Sequence, residues 1–107
     1  MAKKNCWIYT TTSSLSEAQE ISDLLLEKKL IACANIFPSI ESRYRWKGKV
    51  CKSKETAVIF KTRSSLYKKV EKEILRIHSY SVPCLVKISW EQTGKEFAQW
   101  ILGSTKV

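Results

Sequence analysis

Two kinds of hydrophobic spacing alternate along the first part of the chain. Residues 6–12 are apolar, aromatic or β-branched throughout, which is typical of a central strand buried on both faces. Residues 15–25 then repeat apolar side chains every three or four positions, which predicts an amphipathic helix. Ser14 and Glu17 have the spacing of a capping box at its start. The chain therefore opens with a strand followed by a helix.

A long β-hairpin is predicted next. The second strand begins near Ile31, and from Ile40 onward it alternates, so that uncharged and charged side chains take opposite faces. Gly48 supplies the turn, and residues 50–62 pair back on the first arm. Pro38 cannot donate to a strand ladder, so it predicts a bulge or an unpaired edge position.

This hairpin is too long for a body of this size. The fourteen residues 33–46 reach roughly 45 Å when extended, whereas a domain of about 100 residues is only about 35 Å across. Tyr44 and Trp46 lie on one face of the projecting part and would form an exposed aromatic patch. We therefore expect a subunit of a closed oligomer in which Tyr44 and Trp46 lie at the interface.

The second half repeats the helix–strand pattern and adds a helix. Ser64 or Ser65 is placed to cap a helix with one apolar face, and Lys69 and Glu73 are spaced to pair outside it. Residues 78–83 form a connector, and residues 84–91 alternate as a last strand. A second capping box at residues 93–96 opens a short helix that ends near residue 103.

The predicted order is β-α-β-β-α-β with an appended helix. It defines an α+β fold, the ferredoxin-like sandwich, with a long β-hairpin and an extra C-terminal helix. With 107 residues, of which 44% are hydrophobic, residues 1–107 form one domain. This architecture hosts RNA-binding modules, acylphosphatases, small-ligand regulators and metal chaperones, so the function depends on the site.

Composition limits the compartment and the partners. No apolar run is long enough for a signal peptide or a membrane span, and the four cysteines form no CxxC pair, so we expect a cytoplasmic protein with reduced thiols. A net charge of +9 suits nucleic acid, an anionic membrane or a small anion, or serves solubility alone. The third strand lacks the glycines and aromatic residues of an RNA-binding platform, so nucleic acid is not an expected partner.

Five side chains are candidates for chemistry. His78 is either a ligand or acid–base group, or an imidazole at a helix end that interacts with the helix dipole. Cys33 and Cys84 are either thiolate ligands or small core residues. Glu55 and Lys61 either form a structural ion pair or face an anionic ligand. No nucleophile elbow or phosphate-binding glycine loop is present, so catalysis is not expected.

These residues, in this order, resemble the CutA divalent-cation tolerance family. The resemblance covers almost the whole chain and is carried by Cys33-Ala34-Asn35-Ile36, Pro38, Ser42, Tyr44, Trp46, Gly48, Glu55, Lys61-Thr62, His78, Tyr80, Pro83 and Trp100. It implies a ferredoxin-like homotrimer, related to the PII signalling proteins, that has no established enzymatic activity and is linked to tolerance of copper and other divalent ions. It also implies that the hairpin joins neighbouring subunits.

The sequence departs from the family pattern at the positions linked to metal. Ser79 stands where the family usually has proline, and Cys84 stands where it usually has glutamate. The copper ligands proposed in bacterial members, a cysteine and two histidines, fall on Thr10, Ile77 and His78, so one of the three is kept. Replacement of a carboxylate by the thiol of Cys84 would favour Cu(I) over hard cations.

Two functional expectations result. The first is a non-enzymatic homotrimer that requires no cofactor and takes copper or another soft metal ion through His78, Cys33 and Cys84. The alternative is a PII-like regulator that binds a small anionic molecule in a cleft between subunits, which Glu55, Lys61 and Tyr80 would line.

Overall fold

The computed structural model describes residues 4–106 as a four-stranded antiparallel sheet with two helices on one face and a third near one end. Residues 1–3, which belong to the N-terminal segment that lacks the apolar run of a signal peptide, and residue 107 lie outside the described residues. The elements are β1 (Asn5–Thr12), α1 (Leu15–Glu27), β2 (Cys33–Trp46), β3 (Lys49–Arg63), α2 (Tyr67–Ile77), β4 (Leu85–Ser89) and α3 (Lys95–Ser104). The strand order is β2-β3-β1-β4, and the predicted ferredoxin-like architecture is confirmed.

The hydrophobic core lies between the sheet and helices α1 and α2. Alternate residues of the two central strands enter it, and the apolar faces of both helices cover them, as the three- and four-residue spacing predicts. Completely buried side chains of this core include Ile8, Leu25, Val58, Phe60, Val70 and Ile74. The core therefore uses one face of the sheet, and the other face stays outside it.

Of the three helices, only α1 begins with the N-cap residue that the sequence predicts. The Ser14 hydroxyl accepts the Glu17 amide N–H at 3.1 Å, so Ser14 is the N-cap as predicted. The Glu17 carboxylate bonds Ser13 rather than Ser14, so the reciprocal half of the capping box is absent among the described residues. Glu17 is thereby available for other partners, which matter at the site.

The other two predicted caps are wrong. Residues Ser64–Leu66 form a 3₁₀ turn, and the Ser64 N–H donates to the Lys4 carbonyl. Helix α2 therefore begins later, at Tyr67, and has no side-chain cap. Helix α3 has Gly94 as its N-cap. The predicted cap, Thr93, lies one residue before Gly94 and therefore does not cap the helix. The predicted ion pair of Lys69 with Glu73 is also wrong, because Glu73 pairs with Lys28 and Arg76.

The hairpin matches its prediction closely. Strands β2 and β3 stay paired to the tip, where Lys47 and Gly48 both have positive φ and connect the paired residues Trp46 and Lys49. The register shifts between Phe37 and Ile40, which places the predicted bulge at Pro38. With extents of 44 × 27 × 22 Å, the molecule is elongated, as the length of the hairpin requires.

The sheet face away from α1 and α2 is mainly apolar and partly exposed within the chain, although α3 reaches its Lys61 side chain. We call it the outer face. The prediction that β1 is buried on both faces is therefore wrong for a single chain, because Trp7 on this face is 38% exposed. Ile88, its cross-strand neighbour, is 46% exposed. The residues that define the outer face by register are Trp7, Tyr9, Cys33, Phe37, Ile59, Lys61, Val86 and Ile88.

Candidate functional site

A cavity of about 730 Å³ opens on the outer face and extends along the hairpin from its base toward its tip. Strand β1 contributes Tyr9, the hairpin contributes Glu55 and its aromatic tip residues, and the connector after α2 contributes Tyr80 and Cys84. Its size falls within the range of about 300–1,000 Å³ that is usual for small-ligand sites. The hairpin and the connector together therefore build the candidate site.

Glu55 and Tyr80 form the polar centre of this cavity. The Tyr80 hydroxyl donates a 2.7 Å hydrogen bond to the Glu55 carboxylate. Burial, together with this hydrogen bond and the Glu55 charge, raises the pKa of Tyr80 well above its ordinary value of 10.0. Tyr80 is therefore a fixed phenol donor at neutral pH, and Glu55 is the formally charged side chain of the cavity lining.

Cys84 lies in the same cavity and is exposed rather than packed in the core. Burial, and secondarily the negative charge of Glu55, raises the pKa of the Cys84 thiol, so the thiol stays protonated at neutral pH. The hydroxyl of Thr10 donates to the Cys84 carbonyl at 2.7 Å. Thr10 is completely buried. Its hydroxyl therefore has a structural role, because it holds the end of the connector against β1.

His78 holds the connector to the sheet through both of its ring nitrogens. Nε2 lies 2.8 Å from the Thr11 carbonyl, and Nδ1 accepts the Tyr80 amide N–H at 3.0 Å. This pattern requires the neutral tautomer with a proton on Nε2. The side chain is completely buried, so neither nitrogen is free for a metal ion in this arrangement.

Glu17 completes the attachment of the connector. Its carboxylate accepts the Ser79 amide N–H at 2.7 Å and the Ser79 hydroxyl at 3.0 Å, in addition to the bonds from Ser13. Burial opposes ionisation, but the hydrogen bonds from Ser13 and Ser79 outweigh it and lower the pKa of Glu17 below 4.5. The sequence assigned Glu17 to helix capping and gave no signal of this longer-range role.

The three predicted metal ligands do not come together within one chain. Cys33 shares a register row with Ile88, three strands across the sheet, and Ile88 is four residues from Cys84. From strand spacing and rise, the two cysteines are roughly 20 Å apart. Within residues 4–106, no three His, Cys, Asp or Glu side chains form a possible metal-binding group. The residues present therefore do not fit a copper ion held by that trio in one chain.

Of the residues predicted to line a cleft, two meet and one lies elsewhere. Glu55 and Tyr80 are hydrogen-bonded, whereas Lys61 lies six residues further along β3, roughly 20 Å from Glu55. The Lys61 amine lies 5.7 Å from the centre of the Phe97 ring on α3. An ion pair between Lys61 and Glu55 is therefore excluded.

The aromatic residues of the hairpin are exposed in the single chain. Tyr44 is 44% exposed and Trp46 is 48% exposed, and both line the cavity. Their position on the outer side of the hairpin makes them continuous with the outer face. Cavity residues that the sequence did not indicate include Tyr9, Ser53 and Ser81, which carry no motif of their own.

The fold and the cavity define the class of protein: a small ferredoxin-like α+β domain with a long β-hairpin and a cavity at its base. Comparison with known families identifies which one. The model of the CutA1 divalent ion tolerance protein matches residues 6–104. The chain belongs to this family.

Individual relatives agree with this assignment. The divalent-cation tolerance protein CutA of Archaeoglobus fulgidus is 48% identical over 89% of this chain and 92% of its own length. The crystal structure of the divalent ion tolerance protein CutA1 from Ehrlichia chaffeensis superposes with a TM-score of 0.93 at 37% identity, over 100% of both chains. A solved Archaeoglobus fulgidus structure, described as a periplasmic divalent cation tolerance protein, also gives 0.93 at 44% identity, over 95% of this chain and 99% of its own.

Among residues 4–106, no helix combines the length and apolar character that crossing a membrane demands.

The hydrogen bond between Tyr80 and Glu55 predicts a loss of stability at high pH. The pKa of Tyr80 is higher in the folded state than in the unfolded state, where it is 10.0. The contribution of Tyr80 to the free energy of unfolding is therefore fully present below pH 10.0 and is lost as the pH rises toward the folded-state pKa. Urea unfolding between pH 8 and 11.5 should show a steeper loss for the wild type than for Tyr80→Phe. If the free energy of unfolding had the same pH dependence in both proteins, the pKa of Tyr80 would not be raised in the folded state.

Proposed function

We propose that the chain is a non-catalytic subunit of a homotrimeric divalent-cation tolerance protein in the cytoplasm, and that its cavity receives a cation. The observation that carries the proposal is the mainly apolar, partly exposed outer face, which runs into the aromatic side of the hairpin. A continuous apolar surface of this kind is typical of an interface. The number three comes from the family resemblance, and the mass of the protein in solution tests it.

The electrostatics of the cavity support a cationic ligand. Among the described residues, its lining carries the Glu55 carboxylate and no lysine or arginine. An anion would therefore meet a like charge, whereas a cation would be attracted. Cys84 adds a soft donor beside Glu55, so these two side chains would hold the ion, and the thiol suits Cu(I) better than Mg²⁺ or Ca²⁺.

The same residues argue for binding rather than catalysis. His78 cannot serve as a base because both of its nitrogens are engaged. The raised pKa of the Cys84 thiol keeps it protonated, so it is a weak nucleophile at neutral pH. The raised pKa of Tyr80 likewise disfavours its ionisation. The Cys84 thiol and the Tyr80 phenol are thus both held in their protonated forms at neutral pH.

Cys84 and Cys33 provide a matched test of metal binding in the cavity. We expect Cys84→Ser to weaken Cu(I) binding at least about tenfold in competition with a Cu(I) chelator, because it removes the soft donor of the cavity. Cys33→Ser, which changes a thiol at the far end of the same face, should leave the affinity unchanged. Binding should also weaken as the pH falls, because the thiol must release its proton. Equal affinities in all three proteins would remove the metal from the cavity.

A second candidate is the regulator that binds a small anion between subunits. Lys61 favours it, because the side chain lies on the outer face and would be carried into any contact between two such faces. In this arrangement the Lys61 that meets the ligand would belong to a neighbouring subunit. Lys61→Gln distinguishes the candidates, since it should reduce binding of an anion and leave the Cu(I) affinity unchanged.

A further inference from the structure

A second concave surface, on the helix side of the sheet, is lined mainly by lysines. We call it the lysine pocket. It has a volume of about 440 Å³ and lies where the end of α1, the middle of α2 and the end of the described chain meet. Its lining residues are Lys28, Leu30, Lys69, Lys72, Glu73 and Lys106. The family resemblance and the cavity on the outer face involve none of these residues.

The backbone around the lysine pocket is fixed by hydrogen bonds. The Lys106 amide N–H donates to the Lys29 carbonyl at 2.8 Å, and Lys29 has a φ of 58° that turns the chain sharply after α1. Arg63 donates to the Thr105 hydroxyl at 2.7 Å and to the Thr105 carbonyl at 2.9 Å. Thr105 is buried. These contacts hold Lys106 beside the helices instead of leaving it on a free tail.

The charges in the pocket are not balanced. Among residues 4–106, the pocket lining has four lysines and one carboxylate, that of Glu73, which lies 3.3 Å from the Lys28 amine. Glu73 also pairs with Arg76 outside the pocket at 2.8 Å, and the hydrogen bonds from Arg76 and Lys28 lower its pKa. Among residues 4–106, Lys69 and Lys72 have no ion-pair partner. The pocket therefore gathers uncompensated positive charge, which a bound anion would neutralise.

We propose that the lysine pocket binds a compact anion with several adjacent phosphates, that is, an oligophosphate or the phosphate chain of a nucleotide. Several lysines around one concave surface suit a ligand whose charges are spread over neighbouring phosphates, and lysine is a common phosphate ligand. Within the described part of the chain, the pocket lining has no aromatic side chain on which bases could stack, so single-stranded nucleic acid is disfavoured. Its position opposite the outer face leaves it open when outer faces assemble.

Calorimetric titration with sodium tripolyphosphate tests the site. The double variant Lys69→Gln/Lys72→Gln should bind at least about tenfold more weakly than the wild type, because it removes two charged contacts. The control is Lys52→Gln/Lys54→Gln, which removes the same charge from exposed positions on the hairpin. The control should change the affinity less than about twofold, and circular dichroism should show both variants folded.

The outcomes separate a site from general attraction to a basic protein. Failure of the wild type to bind tripolyphosphate at low salt, or equal weakening in both double variants, would overturn the proposal. ATP in the presence of EDTA is the second probe. If ATP and tripolyphosphate bind with equal affinity, the pocket recognises the phosphate chain alone. If ATP binds more tightly, and the Lys69→Gln/Lys72→Gln variant loses this tighter binding, the ligand is a nucleotide. Copper binding is unaffected in either case, so this result is independent of the cavity proposal.

Discussion

Replacement of Ile88 by lysine is expected to split the proposed trimer into single chains. Ile88 lies on the outer face, on an edge strand, and pairs with Trp7 of β1. At an interface its side chain would be buried against a neighbouring chain, and an unpaired ammonium there costs several kcal/mol, roughly 2 or more orders of magnitude in the assembly constant. The single chain should still fold, because the core lies on the other side of the sheet.

Size exclusion with light scattering measures this effect directly. The wild type should have three times the chain mass, and Ile88→Lys should have the mass of one chain. Leu75→Lys is the matched control, because Leu75 is 54% exposed but belongs to α2 on the opposite side of the sheet. A wild type that is monomeric at micromolar concentration, or an Ile88→Lys variant that stays assembled, would show that the outer face is not the interface.

The same geometry changes what is expected of two tryptophans. From the sequence, Trp7 belongs to the core of the subunit and Trp46 to the interface, so substitution of Trp46 should affect assembly far more. Trp7 lies on the outer face with Ile88, so Trp7 and Trp46 are on the same side of the molecule. Substitution of either tryptophan should therefore weaken the assembly.

The His78→Ala variant is expected to lose about 2–4 kcal/mol of unfolding free energy. The change removes the donor to the Thr11 carbonyl and the acceptor of the Tyr80 N–H, and it leaves a void at a completely buried position. An unsatisfied buried polar group costs about 1–3 kcal/mol, and the loss of buried volume adds to this. The connector should also loosen, because the bonds to Glu17, Glu55 and Thr10 would then hold it without the histidine.

Chemical denaturation at one fixed chain concentration measures the loss, so that the oligomeric state does not differ between variants. His78→Gln should recover part of it, because a carboxamide can both donate and accept. Arg76→Ala, at an exposed position two residues earlier, should change the stability by less than about 1 kcal/mol. If His78→Ala were as stable as the wild type, the histidine would have no structural role and would be free to bind a ligand.

The departures from the family pattern acquire a physical meaning in the structure. Ser79, where the family usually has proline, donates both its N–H and its hydroxyl to Glu17, and proline could offer neither. Cys84 replaces a carboxylate beside Glu55, which removes a second negative charge from the cavity. The site is therefore less acidic and softer than the family pattern implies.

Most of the fold follows from local patterns in the sequence. The apolar spacing at residues 15–25 defines the face of α1 that packs on the sheet, and the alternation after Ile40 defines the two faces of the hairpin. Pro38 and Gly48 mark the bulge and the turn, because each permits or forbids particular backbone geometry. These features depend on near neighbours in the chain, so the sequence alone determined them.

The site depended on residues that are distant in the chain, and only the tertiary structure decided it. Glu17 and Ser79 are separated by 62 positions, and His78 and Thr11 by 67, so no spacing rule could pair them. Cys33 and Cys84 have the same side chain but lie at opposite ends of the outer face, because strand order and register, rather than residue type, set their separation. The sequence by itself determined which elements form and which family the chain resembles. The packing of the connector against β1 decided that His78 is a structural residue and that Glu55, Tyr80 and Cys84 share one cavity.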